Sequence, residues 1–206
     1  MTLKVPRLTI GTRSVLFGAH QFAIHPWFVA AAWWRLYGFP WDPRLWFAFV
    51  VHDLGYVGKP NMDGPEGETH PEWAARLLGR LFGPEWHDLC LLHSRFYARR
   101  LGRPFSRLCV ADKLAIALTP WWLYLPMVRL TGEVAEYRQG LRGRTRARAA
   151  SKGWEHVEEE SDREWHRRVQ NYCRRWAIEH HDGREDTWTP LAVAAVPADA
   201  RAGADG

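Results

Sequence analysis

A chain of 206 residues that is 47% hydrophobic and 25% charged is long enough for one ordinary domain with a buried core, which excludes the disordered, collagen-like and disulfide-scaffold classes. The net charge is +5 and the pI about 9.4, but the densest basic stretch, Arg138 to Lys152, runs straight into Glu155 to Asp162. The two blocks read as a self-neutralising linker, and no specific nucleic-acid motif accompanies them. Thirteen tryptophans are spread among charged residues, and the longest apolar runs, Trp27 to Trp34 and Leu45 to Val51, are too short for a bilayer span of roughly 20 residues. Met1 to Phe17 lacks the apolar stretch and cleavage site of a signal peptide, so a cytoplasmic protein is expected, with Cys90, Cys109 and Cys173 reduced and uninvolved in chemistry.

Proline and glycine divide the chain into helices. Pro26 fits the first turn of a helix through Tyr37 that stops at Gly38. Asp42 and Pro43 open a second, to about Leu54, ended by Gly55. A Gly-, Pro- and acid-rich loop covers Gly55 to Glu68. Thr69 and Glu72 have capping-box spacing for a third helix to Phe82. A fourth is expected from Pro84 through Arg100, a fifth from Ser106 to Leu118 and a sixth from Trp121 to Gln139. Beyond the charged linker, Asp162 to His180 is an amphipathic helix with Trp165, Val169, Tyr172, Cys173 and Trp176 on one side. The expectation is a compact all-α bundle over 1–185 with an extra C-terminal helix, followed by a disordered tail over 186–206.

Metal-competent side chains stand at the ends of these helices: His25, the adjacent pair His52 and Asp53, His70, His93 and Asp112. Imidazole and carboxylate suit Mn, Fe, Mg, Zn or Co, and a carboxylate can bridge two ions where imidazole cannot. Neighbours on a helix point about 100° apart, so His52 and Asp53 serve one site only where the helix ends and its geometry relaxes. His20 competes with His25 as the first imidazole; His25 is preferred because it begins a helix. His87, His156, His166, His180 and His181 have no supporting pattern and are expected at the surface or in ordinary packing.

The segment Phe49-Val-Val-His-Asp-Leu-Gly-Tyr56 resembles the signature of the HD superfamily of metal-dependent phosphohydrolases. His25-Pro-Trp-Phe-Val-Ala-Ala-Ala, His70-Pro-Glu-Trp-Ala-Ala-Arg-Leu-Leu, Leu91-Leu-His93-Ser and Val110-Ala-Asp112-Lys resemble the rest of that pattern, in order, over less than half the chain. The resemblance implies an HD-type helical bundle with one or two divalent ions per chain: His25, His52 and Asp112 on one, His70 and His93 on the other, and Asp53 bridging as the catalytic carboxylate. It implies hydrolysis of a small phosphoester or nucleotide by metal-activated water. A di-iron oxygenase shares the six-ligand pattern, and an idle HD fold used for ligand sensing is a third reading.

Lys59, Arg95 and Lys113 lie beside the pattern and are the candidates for holding phosphate. Asp63, Glu66 and Glu68 would repel a polyphosphate unless paired, which makes loop 58–68 the place to look for specificity. Trp27, Trp33, Trp34, Trp41 and Trp46 are expected in the core, with Pro120-Trp-Trp-Leu-Tyr-Leu-Pro126 as a short apolar patch able to stay exposed and dock a partner or membrane surface. Oligomeric state is not legible.

Overall fold

Short polar side chains and prolines set the helix starts. The computed structural model describes residues 8–138 and 160–184 and is all-α, with no strand among the described residues. Thr9 caps α1 (Ile10–Phe17), accepting from the Thr12 amide. The expected elements did not include this helix. The amides ahead of α2 (His25–Tyr37) are met by Gln21, whose Oε1 accepts from Ala23 and Ile24. Asp42 accepts from the Arg44 amide at the start of α3 (Pro43–Val51), as its sequence position predicts. The 3₁₀ turns Leu54–Tyr56 and Gly67–Thr69 flank the polar loop, then come α4 (Pro71–Phe82) and α5 (Pro84–Leu91).

Three expected boundaries are corrected. The third helix has no Thr69 capping box. Thr69 instead donates to the Glu66 carbonyl, while Glu72 takes the Tyr97 hydroxyl, so His70 itself occupies the N-cap position. The expected fourth helix is two, α5 and α6 (Arg95–Arg100). The Ser106 amide donates to the Leu92 carbonyl at 2.9 Å, and Ser94 adopts an extended conformation, which opens the helix at His93. After α7 (Arg107–Leu118), α8 (Trp121–Thr131) ends at left-handed Gly132, with a separate helical segment over 133–138. Ser161 and Glu164 form a capping box on α9 (Asp162–His180).

The core lies where α2 and α9 both pack on α7, around Val29, Phe49, Leu108, Ala111 and Trp176. A second cluster joins α3, α4 and α5 through Ala48, Ala74, Leu78 and Cys90. A third seats α8 on α9 through Tyr124, Val128 and Trp165. The three cysteines are buried and unbridged.

Trp33 is buried, but Trp27, Trp34 and Trp41 are 66%, 61% and 84% exposed, which corrects the expectation of core positions. Trp27 meets Trp46 edge-on, and Trp34 and Trp41 meet Phe39, contacts that leave most of each ring in the open. Trp121 and Trp122 are exposed as the patch reading expected, while Tyr124 and Leu125 of the same segment are buried.

No single described helix is long and apolar enough to cross a membrane. The linker 139–159 and tail 186–206 lie outside the described residues, although Arg138 and Arg129 reach Asp162 at 2.6 and 2.8 Å.

Candidate metal centre

The six side chains picked out by sequence order meet in one buried cluster, and each is delivered by a helix terminus or by a helix facing one. His25 begins α2. His52 caps the C-terminus of α3, and Asp53, at φ −98° and ψ −4°, leads into the 3₁₀ turn. That departure from α geometry turns two sequence neighbours inward together, with His52 Nε2 3.0 Å from Asp53 Oδ2. His70 joins a 3₁₀ turn to α4, His93 sits in the break between α5 and α6, and Asp112 faces α2 from α7.

Their ligand atoms form two groups that share one residue: His25, His52, Asp53 and Asp112, and Asp53, His70 and His93, with atoms within each group no more than 4.8 Å apart. Asp53 divides its oxygens between the groups. Oδ2 lies 3.4 Å from His25 Nε2 and 3.0 Å from His52 Nε2; Oδ1 lies 3.7 Å from His70 Nε2 and 3.6 Å from His93 Nε2. Asp112 Oδ1 completes the first group at 3.0 Å from His25.

Backbone carbonyls orient the rings. Nδ1 of His52, His70 and His93 donates to the carbonyls of Phe49, Gly67 and Cys90 at 3.0, 2.8 and 2.5 Å. With those protons committed, each ring in its neutral form turns an Nε2 lone pair toward the cluster, the arrangement seen around ligating histidines. His70 and His93 bring their Nε2 atoms to 3.0 Å, a repulsive contact unless a cation or proton lies beside them. Buried His52 Nε2 and Asp53 Oδ2 have no hydrogen-bond partner among the described residues, which is costly unless an ion meets them. The residues present therefore fit divalent metal.

The electrostatics agree. Burial alone would lower the His52 imidazole, but Asp53 and Asp112 outweigh it and raise it to about 10. Burial would raise both carboxyls, yet the surrounding imidazoles hold Asp53 and Asp112 well below the usual carboxylate range. His70 is held well below its ordinary value by burial and then by His93. Without an ion His52 therefore keeps a proton that a bound cation would displace, and two ionised carboxylates make a pocket that attracts positive charge.

Backbone contact fixes how close these groups come. A Cβ on Gly55 would stand 1.9 Å from the His70 carbonyl oxygen, so only glycine lets the turn after Asp53 lie against the start of α4. The Tyr56 ring then stacks on His70 at 3.9 Å and 12°. Sequence reasoning had not singled out Tyr56.

The cationic candidates separate. Lys59 Nζ donates to Thr69, which ties down the loop. Arg95 donates to the Tyr172 hydroxyl at 3.0 Å and lies over the Trp176 ring. Lys113 is half-buried beside Asp112; burial and Arg95 pull its ammonium down, but Asp112, Cys173 and Cys109 together offset them, and it stays above the ordinary value. In the acidic loop, Glu66 accepts from Asn61 Nδ2 at 2.6 Å, and Glu136 accepts from the Met62 and Asp63 amides.

His20 is not among the grouped ligand atoms, which agrees with the preference for His25. Its ring nevertheless lies 5.8 Å from that of His25 and 4.9 Å from that of Tyr56. Of the histidines without a pattern, His166 and His180 are buried, His166 against Tyr124 and His180 stacked on Trp176. Comparisons with protein-family models, with curated proteins and with solved structures return no match.

Proposed function

We propose that this chain is a metal-dependent phosphohydrolase with a dinuclear centre, acting on a small phosphoester or nucleotide, as its resemblance to the HD superfamily implies. The observation that carries the reading is the division of Asp53: one carboxylate, two oxygens, each facing its own set of buried imidazole nitrogens. In this assignment His25, His52 and Asp112 with Asp53 would hold one ion, and His70 and His93 with the same carboxylate would hold the other.

Bound divalent cations supply an activated water and neutralise charge that develops on a phosphoryl oxygen. The protein's own groups do the rest. The three carbonyls that take Nδ1 protons keep the imidazoles aimed inward, and Tyr56 holds the His70 ring in plane. Lys113, whose ammonium is not engaged by a carboxylate at ion-pair distance among the described residues, is assigned to the remaining phosphate charge. Arg95, already bonded to Tyr172, is assigned to the same wall, and Lys59 to the loop that closes it.

The test is a phosphoester and nucleotide panel, run with Mn, Mg, Co, Zn or Fe and again after chelation. Metal-dependent hydrolysis that Asp53→Ala abolishes supports the reading, and hydrolysis retained in that variant overturns it. Two irons per chain, an air-sensitive visible band and O₂ consumption would replace it with an oxygenase.

A further inference from the structure

Beside the six ligand-type residues stands a second polar assembly that the metal centre does not use. Glu133 is fully buried, yet it accepts four hydrogen bonds: from Ser14 Oγ at 2.9 Å, the Ala19 amide at 3.2 Å, Thr131 Oγ1 at 2.5 Å and the Tyr137 hydroxyl at 3.0 Å. The chain makes room for it by leaving out a side chain, because a Cβ on Gly18 would stand 1.8 Å from Glu133 Oε1. A buried carboxylate costs several kcal/mol unless it is bonded and paired. The described residues bring one ionisable base within ion-pair distance of it, His20, at 3.8 Å.

The contact between the two runs through Ser14. Ser14 gives its proton to Glu133 Oε2, so its oxygen is left to accept from His20 Nδ1, 2.8 Å away. The imidazole is thereby fixed in rotation. Nε2, on the opposite side of the ring from Ser14, makes no hydrogen bond among the described residues. The His20 side chain is 18% exposed, while those of His25, His52, His70 and His93 are 8% exposed or less. His20 thus lies toward the open side of the cluster, in ring contact with His25 and Tyr56.

We propose that His20 is a substrate-contacting residue of the metal centre, its Nε2 edge turned to the bound phosphate group, with Ser14 and Glu133 as the positioning residues that hold it there. The assembly also explains why the segment 133–138 packs where it does: Glu133 holds His20, while Glu136 holds the Met62 and Asp63 amides of the loop on the other side. This inference rests on the phosphohydrolase reading.

Asparagine and glutamine separate the two nitrogens of a histidine. His20→Asn places an amide where Nδ1 lies and keeps the Ser14 bond, but has nothing at Nε2; His20→Gln extends an amide to the Nε2 position. Metal content by mass spectrometry and binding of inorganic phosphate by calorimetry are measured on the metal-loaded full chain. The expected result is unchanged metal content in both variants, phosphate affinity about tenfold or more weaker in His20→Asn, and partial recovery in His20→Gln. Glu133→Gln, with His20 in place, is expected to weaken phosphate binding by a smaller factor at unchanged metal content. Should His20→Asn bind phosphate as tightly as the native chain, or should the metal-loaded native chain bind no phosphate, the proposal is overturned. A native chain that takes up no metal fails at the earlier reading, visibly in the metal analysis, and this proposal falls with it.

Discussion

Gly55→Ala isolates the half of the centre that depends on His70. The added Cβ would lie 1.9, 2.8 and 3.1 Å from the carbonyl oxygen, carbonyl carbon and Cα of His70, all backbone atoms that cannot rotate away. Ordinary contact begins near 3.4 Å, so the two segments must separate by about 1.5 Å. His70 Nε2 stands 3.7 Å from Asp53 Oδ1, and a shift of that size on the backbone that carries the imidazole breaks the second ligand group. The first group, His25, His52, Asp53 and Asp112, has no residue at this contact. The expected outcome is a fall from two bound ions per chain to one, with catalysis lowered by on the order of 100-fold and stability by about 1–3 kcal/mol from overpacking. Ion stoichiometry by mass spectrometry and urea unfolding measure these. Two ions retained at native affinity would refute the claim that this glycine sets the spacing.

Three further outcomes follow from burial and charge. Trp176 is fully buried between Phe105 and His180, so Trp176→Ala should cost about 3–5 kcal/mol in urea unfolding, and a loss under 1 kcal/mol would contradict its place in the core. Burial lowers His166 to about 4 from an ordinary 6.5, so the unfolded chain takes up that proton first as pH falls. The associated stability is whole above pH 6.5 and lost progressively toward pH 4, by up to about 3 kcal/mol. His166→Phe, which keeps a ring on Tyr124, should flatten that slope, and an unchanged slope would count against the assignment. Metal at 100 times its Kd should add about 2.7 kcal/mol and raise Tm by roughly 5–10 °C, an increment that a chelator removes and that Asp53→Ala does not show.

The helices and the order of the six ligand-type residues were legible because both are local. Proline at a helix start, glycine after a helix end, and His or Asp at the junctions mark the chain without any knowledge of tertiary contacts. What escaped was set by partners distant in sequence. The break at His93 needs the Ser106 amide on the Leu92 carbonyl, and nothing within Pro84 to Arg100 announces it. The Thr69 and Glu72 capping box failed because Tyr97, 25 residues away, takes the glutamate. Glu133 acquires its meaning from Ser14, 119 residues earlier, and in sequence it is one acid inside the expected sixth helix. The exposed tryptophans were misplaced for a related reason. Trp27 and Trp34 share α2 with the buried Trp33, and which face is covered depends on where α7 lies.

The central claim is that Asp53 joins two metal sites, and the count of ions per chain tests it most directly. Mass spectrometry on freshly purified full-length protein, with a visible spectrum taken before and after exposure to air, should find two divalent ions per chain in the native protein and a clear loss in Asp53→Ala. Protein purified from metal-supplemented medium with no bound ion would contradict the account, as would a native complement of ions in Asp53→Ala.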